Sequence, residues 1–446
     1  MSTVNHFFAD LGEAGWNQLL PARQPQPILE NDIDADYLII GAGFAGLSAA
    51  RRLMQLEKGA KIVLLEARQV GEGPSGRNSG FMIDLPHEVS SSHYAGQASR
   101  DQIQIRMNRT AIEFARKMVD SYHLPEEAYL PAGKINAAAT KAGLDHNESY
   151  ARHLDALGEP CRMLDAAEMQ SLTGSDYYQG GLWTPGTAII QPAMYIRGIA
   201  DGLVDAGCHL FEQSPVIDLK VQGQYWRIST ESGLVKAAKT ILAVNGLIQN
   251  FGYYRRRLMH FNLYASMTRE LSEQEVNQLG GGSKWAFTPA DPLGSTVRRI
   301  SGTGGHRLLI RNRCTYEPGL RLPDGRLDRI SADHDRAFYS RFPMLKHVSM
   351  EYRWSGRLCL SRNSVWAIGE VEKNLFSACC QNGLGSTKGT IAGIVAAEMA
   401  CEKPAESLVP EFIHEAPPKK LFPEPLMSLG VRNYLKYREW RAGREL

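Results

Sequence analysis

The chain has no apolar run approaching the ~18 residues a membrane-spanning helix needs, so none is expected. It also lacks a charge excess. Lys and Arg number 50 against 48 Asp and Glu, a formal net charge of +2, too even for a nucleic-acid binder with its markedly basic face. No CxxC pair and no Cys/His metal spacing occurs, which removes the usual zinc and iron–sulfur sites. The cysteines, Cys161, Cys208, Cys314, Cys359, Cys379, Cys380 and Cys401, are odd in number. Small buried thiols in a reducing, cytoplasmic compartment are the expectation. In Met1–Pro27, Asp10 and Glu13 interrupt any apolar stretch and no basic segment precedes one, so a secretory signal is not expected. There is no internal repeat, no low-complexity tract and no legible nucleophile–base–acid triad.

What is present is 446 residues with an ordinary apolar share of 43%, enough for a sizeable core. At roughly 150 residues per domain about three domains are expected, though α/β enzymes often interleave two larger ones. Residues 1–32 read as an extension with a Pro-rich stretch, Pro21 to Pro27. Tyr37-Leu38-Ile39-Ile40 is a buried parallel strand running into glycines. Leu47–Leu56 reads as a helix and Lys61–Glu66 as a second strand. A glycine-rich loop spans Gly71–Gly80, and a long amphipathic helix spans Asp101–His123, stopped by Pro125. Gly133–Ala139 is extended, Leu144–Leu157 is helical, and Pro192 opens a helix running to Ala206. Short strands follow at His209–Gln213, Val216–Val221, Tyr225–Thr230 and Thr240–Val244. Residues 258–316 are strand-rich, with Gly281-Gly282, Pro289 and Pro292 in loops. Leu375–Gln381 is a strand, Asn382–Gly385 a turn and Ser386–Cys401 a helix. Alternation between α/β and β-rich stretches implies two domains, each assembled from separated parts of the chain.

Gly41-Ala42-Gly43-Phe44-Ala45-Gly46 is a G-x-G-x-x-G that follows the first strand and opens the first helix. Glu66 lies at the end of the next strand, where the dinucleotide fingerprint has its acid. Gly41 allows the tight turn, Gly43 lets a pyrophosphate approach the backbone, and Gly46 lets helix pack on strand. The helix N-terminus offers free N–H groups to the phosphates, and Glu66 can take the ribose hydroxyls. The plain alternative is a tight strand–helix turn with no ligand. No second fingerprint exists: Gly302-Thr303-Gly304-Gly305 lacks the spacing, and Gly383-Leu384-Gly385 is followed by Lys388 where the third glycine belongs. One dinucleotide therefore binds, and FAD suits a single copy better than NAD.

Three further motifs follow in order: Gly76-Arg77-Asn78-Ser79-Gly80, Thr240-Ile241-Leu242-Ala243-Val244-Asn245-Gly246, and Asn382-Gly383-Leu384-Gly385-Ser386-Thr387-Lys388-Gly389. With these the chain resembles the D-amino-acid-oxidase-like flavoproteins, which include glycine, sarcosine and γ-glutamylputrescine oxidases. The similarity runs from about residue 33 to 405 and is greatest to the γ-glutamylputrescine oxidase branch, which shares an N-terminal extension and a tail like Phe422-Pro423-Glu424-Pro425-Leu426. It implies an α/β fold: a Rossmann-type FAD-binding domain (residues 33–85, 187–252 and 356–405) interleaved with a β-rich α+β substrate domain (86–186 and 253–355), flanked by the 1–32 extension and a 406–446 tail. It implies FAD held without a covalent bond. Ala67 and Arg68 follow the acid, Arg77, Asn78, Ser79 and Gly80 pass along the flavin and ribityl chain, and Val216 meets adenine. Asn245 and Gly246 lie near the pyrophosphate. Gly383, Leu384, Gly385, Ser386, Thr387 and Lys388 point a helix start at the flavin N1/C2=O edge, where a dipole end or Lys388 stabilises negative charge. A solvated lysine is the alternative for Lys388.

One departure bears on substrate. The family's late G-x-R-P-x-T-P-D reads here Gly356-Arg357-Leu358-Cys359-Leu360-Ser361-Arg362-Asn363, without prolines or aspartate. Some sarcosine oxidases link a cysteine of this segment to flavin; Cys359 sits one place off, so a buried structural thiol is expected.

The family oxidises C–N bonds: a neutral amine gives hydride to flavin N5, the imine hydrolyses, and electrons pass to O2. Such chemistry needs no dedicated acid–base pair. Leu309, Arg311, Arg313 and Thr315 fall on one face of a candidate strand entered by a Gly304-Gly305 turn. Arg311 is the candidate carboxylate anchor for an amine substrate bearing a carboxylate, against a solvated edge-strand arginine. His260 and His306 are further candidates, with structural roles the plainer reading. No metal is expected. Two rivals remain: a dehydrogenase of the same fold serving a quinone or another acceptor, and a flavoprotein without turnover. The basic, aromatic stretch Arg432–Arg444 is consistent with peripheral membrane contact, or with a terminal helix docked on the protein.

Overall fold

The computed structural model describes residues 2–4, 10–86, 98–402, 408, 410 and 416–446. Strand Asp32–Ile40 lies at the centre of the first sheet. It pairs in parallel with Ile62–Leu65 on one side and Leu234–Leu242 on the other. Ile62–Leu65 is apolar and buried on both faces, as a parallel strand between two layers must be, whereas Leu234–Leu242 is buried throughout only in its last three residues, Thr240, Ile241 and Leu242. Among the described residues this sheet has nine strands, the rest being Ser2–Thr3, His209–Phe211, Asp218–Gln222, Tyr225–Ser229, Ala367–Glu372 and Leu375–Cys379. Strand Leu234–Leu242 is shared: its first half pairs with Tyr225–Ser229 and its last three residues with Leu375–Cys379. Helices Phe44–Leu56, Pro192–Asp205 and Gly385–Ala400 pack over it in one core cluster with Leu64, Ile241 and Phe376.

The second sheet has eight strands among the described residues. They run in the order Met350–Ser361, Leu258–Thr268, Arg307–Tyr316, Thr296–Ile300, Trp285–Pro289, Lys134–Ala138, Gly180–Thr184 and Arg162–Leu164. Its back is covered by Ala337, Phe338 and Phe342 at the end of helix Arg326–Arg341 and by Met169 and Leu279. Pro289, expected in a loop, is the last residue of a strand, pairing with Ala137. The expected domain boundary between residues 355 and 356 falls inside strand Met350–Ser361, and that at 405 and 406 lies outside the described residues. No described helix is long and apolar enough to cross a membrane.

The extension is part of the core. Trp16 is fully buried among Met267, Leu309 and Trp354, and its indole N–H donates to the Asn78 carbonyl at 2.8 Å. Removing a buried side chain of that size costs about 3–5 kcal/mol, so the extension is anchored by packing and not merely attached. Helix Leu426–Ala442 docks through Met427, Val431 and Leu435 against Phe261 and Tyr316.

Candidate active site

One cavity of about 840 Å³ lies between the two sheets, at the large end of the ~300–1,000 Å³ typical of ligand sites. Its floor is the fingerprint turn. Strand Asp32–Ile40 ends at Gly41 (φ 102°), and a Cβ at Gly46 would overlap the Gly41 carbonyl oxygen. Gly43 lines the cavity; a Cβ there would reach no closer than 3.6 Å to Ser75, so what glycine leaves open is cavity space. Glu66 is also on the wall. One carboxylate oxygen accepts the Ala42 N–H at 2.9 Å and the other the Arg68 N–H at 3.1 Å. Burial raises its pKa and these two N–H bonds oppose that. The residues fit a dinucleotide: an open backbone cradle at a helix start, with a fixed carboxylate beside it.

Phe44, Ala45, Ala67, Arg68, Arg77, Asn78, Ser79, Val216, Asn245 and Gly246 line the same space, whereas Ala42, Gly46 and Gly80 do not. Gly80 has another constraint: at φ 80° its missing Cβ makes room for Arg298, whose Nη1 donates to the Ser79 and Ile190 carbonyls. Arg298 lies over the Trp16 ring, and burial lowers its pKa to about 9, so it keeps its charge at neutral pH. The Arg77 guanidinium donates to three backbone carbonyls, those of Ser355, Leu11 and Gly12.

Asp10 was not foreseen. Its side chain is 1% exposed, and it pairs with Arg68 at 3.1 Å and Arg357 at 3.0 Å. With Leu11 and Gly12 it makes the extension a strap that gathers three guanidinium groups on the cavity wall. The sequence hides this because two of the partners lie 58 and 347 residues away.

His260 and Cys359 line the wall beside Gly246. The Gln249 amide donates to His260 Nε2 at 2.5 Å, and burial lowers the ring's pKa to about 4, keeping it neutral. Cys359 is buried, its thiol 3.3 Å from Asn245 Oδ1, and its pKa is raised by Cys380 and by burial. His306 does not line the cavity. At the start of helix Gly385–Ala400, Gly383, Leu384, Gly385, Ser386 and Lys388 face the cavity. Thr387 is fully buried behind them, and the Lys388 ammonium lies 5.4 Å from the Trp366 ring centroid.

The roof is the second sheet. Ala265, Thr296 and Arg311 reach the cavity from three strands, with Ala265 and Thr296 both in register with Arg311. The expected single face does not persist along this strand. The register shifts between Leu263 and Tyr264, and Arg313 takes φ 59°, a bulge that resets alternation. Arg313 still lines the cavity but is paired with Asp333 and Glu439, both at 2.9 Å. Leu309 packs beside Trp16, and Thr315 bonds the Tyr264 hydroxyl at 2.7 Å. Sequence reasoning also missed the last wall, where helix Leu426–Ala442 brings Val431, Tyr434, Leu435, Arg438 and Glu439. Their 3–4-residue spacing is the signal that marks one helical face.

Comparison with known proteins agrees with this geometry. The family model "DAO: FAD dependent oxidoreductase" matches residues 36–399. The chain is 26% identical to a probable oxidoreductase OrdL of Haemophilus influenzae, over 82% of each chain. It is 27% identical to the gamma-glutamylputrescine oxidoreductase of Escherichia coli, over 84% of this chain and 85% of that one. Its fold is similar to that of glycine oxidase from Geobacillus kaustophilus (TM-score 0.70, 16% identity, 87% of this chain and 100% of that one). The same holds for iminodiacetate oxidase from Chelativorans (0.66, 18%, 86% and 100%). A match over most of the chain, on a cavity built from the fingerprint glycines and Glu66, makes this protein a member of the DAO family of FAD-dependent oxidoreductases.

Proposed function

We propose that this enzyme oxidises the C–N bond of an amine or amino acid carrying a carboxylate, with O2 as electron acceptor. The observation that carries the reading is the continuity of one cavity from Gly43 and Glu66 to Arg311. In this reading Gly43 and the start of helix Phe44–Leu56 would hold the pyrophosphate, Glu66 the ribose, and Asn78, Ser79 and the Gly383–Lys388 turn the flavin end. Bound FAD supplies the two-electron acceptor for the hydride. Arg311 takes the substrate carboxylate in its planar fork. Phe261, Leu263 and Ala265 on the roof keep water from the reacting bond. The substrate must lose its ammonium proton first, so kcat/KM rises with pH. Segments 33–85, 187–252 and 356–405 are read as the FAD domain because the nine-stranded sheet draws almost wholly on them. Seven free cysteines suit a cytoplasmic setting. The names of the relatives, which include an oxidoreductase of gamma-glutamylputrescine and oxidases of glycine and iminodiacetate, support an amine or amino-acid substrate.

The test is hydrogen peroxide release over a panel of amines and amino acids. Carboxylate-bearing amines should outperform their uncharged analogues. Preference for plain alkylamines would reject the Arg311 assignment. Reduction by substrate without air, followed by reoxidation with a quinone but not air, would reject O2. A profile flat from about pH 6 to 10 would count against amine oxidation, since ammonium groups titrate near the top of that range.

A further inference from the structure

We propose that the outer face of helix Leu426–Ala442 docks on an anionic membrane surface. Eleven large hydrophobic side chains are exposed among the described residues, and six of them are Phe422, Leu426, Leu429, Tyr434, Tyr437 and Trp440. At about 100° per residue, Leu426, Leu429, Tyr437 and Trp440 share an arc of about 80°. Trp440, 78% exposed, stands at its end. The arc is not what holds the helix down, since Met427, Val431 and Leu435 on the opposite side already do so. The helix is therefore apolar along two faces, and only the inner one is covered.

Charge identifies the occupant. The helix carries Arg432, Lys436, Arg438 and Arg441 against one acid, Glu439. Glu439 faces inward and is paired with Arg313. Lys436 and Arg441 are exposed on either side of the apolar arc, and no acid stands on it. Exposed Leu side chains flanked by Tyr, Trp, Lys and Arg are the composition of a helix lying in a lipid interface, with cations at anionic headgroups. A second copy of the chain fits less well, because a two-fold contact would bring the same cations face to face. Docking would also lay the cavity wall formed by Val431, Tyr434 and Leu435 directly behind the lipid surface.

The experiment is co-sedimentation of the FAD-loaded full chain with phosphatidylcholine vesicles, with and without phosphatidylglycerol, at low and high salt. The protein should pellet with the anionic vesicles only, and salt should release it. Leu429→Ser with Trp440→Ser, and separately Lys436→Glu with Arg441→Glu, should each lower partitioning at least about tenfold. FAD content and melting temperature should stay unchanged, because none of the four side chains packs on the core. Absence of binding to anionic vesicles, or binding by the variants equal to wild type, would overturn the proposal. So would a dimer by light scattering that Trp440→Ser dissociates; that result would assign the face to a second copy.

Discussion

At Gly41 and Gly43 the cavity wall is bare backbone, held in its turn by Gly46, where a Cβ would overlap the Gly41 carbonyl oxygen. At Arg311, Arg313 and Arg357 it is guanidinium, the last two set by acids elsewhere in the chain, Asp333 and Glu439 for Arg313 and Asp10 for Arg357. The floor is local in sequence and almost without side-chain choice. The roof gathers strands from separated segments and depends on pairings as much as 347 residues apart. The contrast suggests that the floor fixes the cofactor, common to many enzymes, and the roof fixes the substrate, particular to each.

The sharpest break of this contrast is Gly43→Val. The branch enters cavity space, not protein, so the variant should be soluble, helical by circular dichroism and colourless. Full FAD occupancy would show that the floor is only a turn.

Next in size is a pH effect spread over both regions. His260 on the cavity wall and His334 behind the roof are each lowered from 6.5 to about 4 by burial. The folded state holds both rings neutral, while the unfolded chain protonates them near 6.5. Unfolding therefore takes up protons, and stability present above that pH is lost as pH falls toward 4, on the order of 3 kcal/mol per ring. Melting curves between these limits measure it. His334→Gln should flatten the dependence by roughly half, and an unchanged slope would remove His334 from the account.

Arg311→Leu probes the roof alone. Losing a charged hydrogen bond of about 1.5–3 kcal/mol should raise KM roughly tenfold to a hundredfold, with FAD content unchanged. An unaltered KM would reduce Arg311 to a structural arginine. The smallest effect is expected at Cys359, whose thiol already bonds Asn245. Acid precipitation should release FAD to the supernatant from wild type and from Cys359→Ser alike. A yellow wild-type pellet would mean a covalent link.

Legibility in the sequence followed the same division. Strand Asp32–Ile40, helix Phe44–Leu56 and strand Ile62–Leu65 were readable because pattern, glycines and acid lie within about thirty residues. The roof was readable only as strand-rich. Its strand order joins Trp285–Pro289 to Lys134–Ala138 in parallel, which no local periodicity encodes. The bulge at Arg313 defeated a period-two argument that holds only while pairing is regular. Helix Arg326–Arg341 escaped notice because its sequence is mostly polar and its buried face mixes Ile330, Ala337 and Phe338 with His334 and Arg341. The burial of Lys134 and Arg298 has no sequence signal, since charge is normally solvated.

The Asp10 strap has a consequence for where this protein can begin. A chain starting at residue 36, where the family match starts, would keep every fingerprint residue. It would also leave Arg68, Arg77 and Arg357 beside one another without the carboxylate and two carbonyls that now receive them. Arg77 and Arg357 already feel each other's charge or that of Arg68, and a buried cation stripped of its partner costs several kcal/mol. The three arginines thus depend on the extension: a deletion through Asp10 should strip their partners while leaving the fingerprint intact.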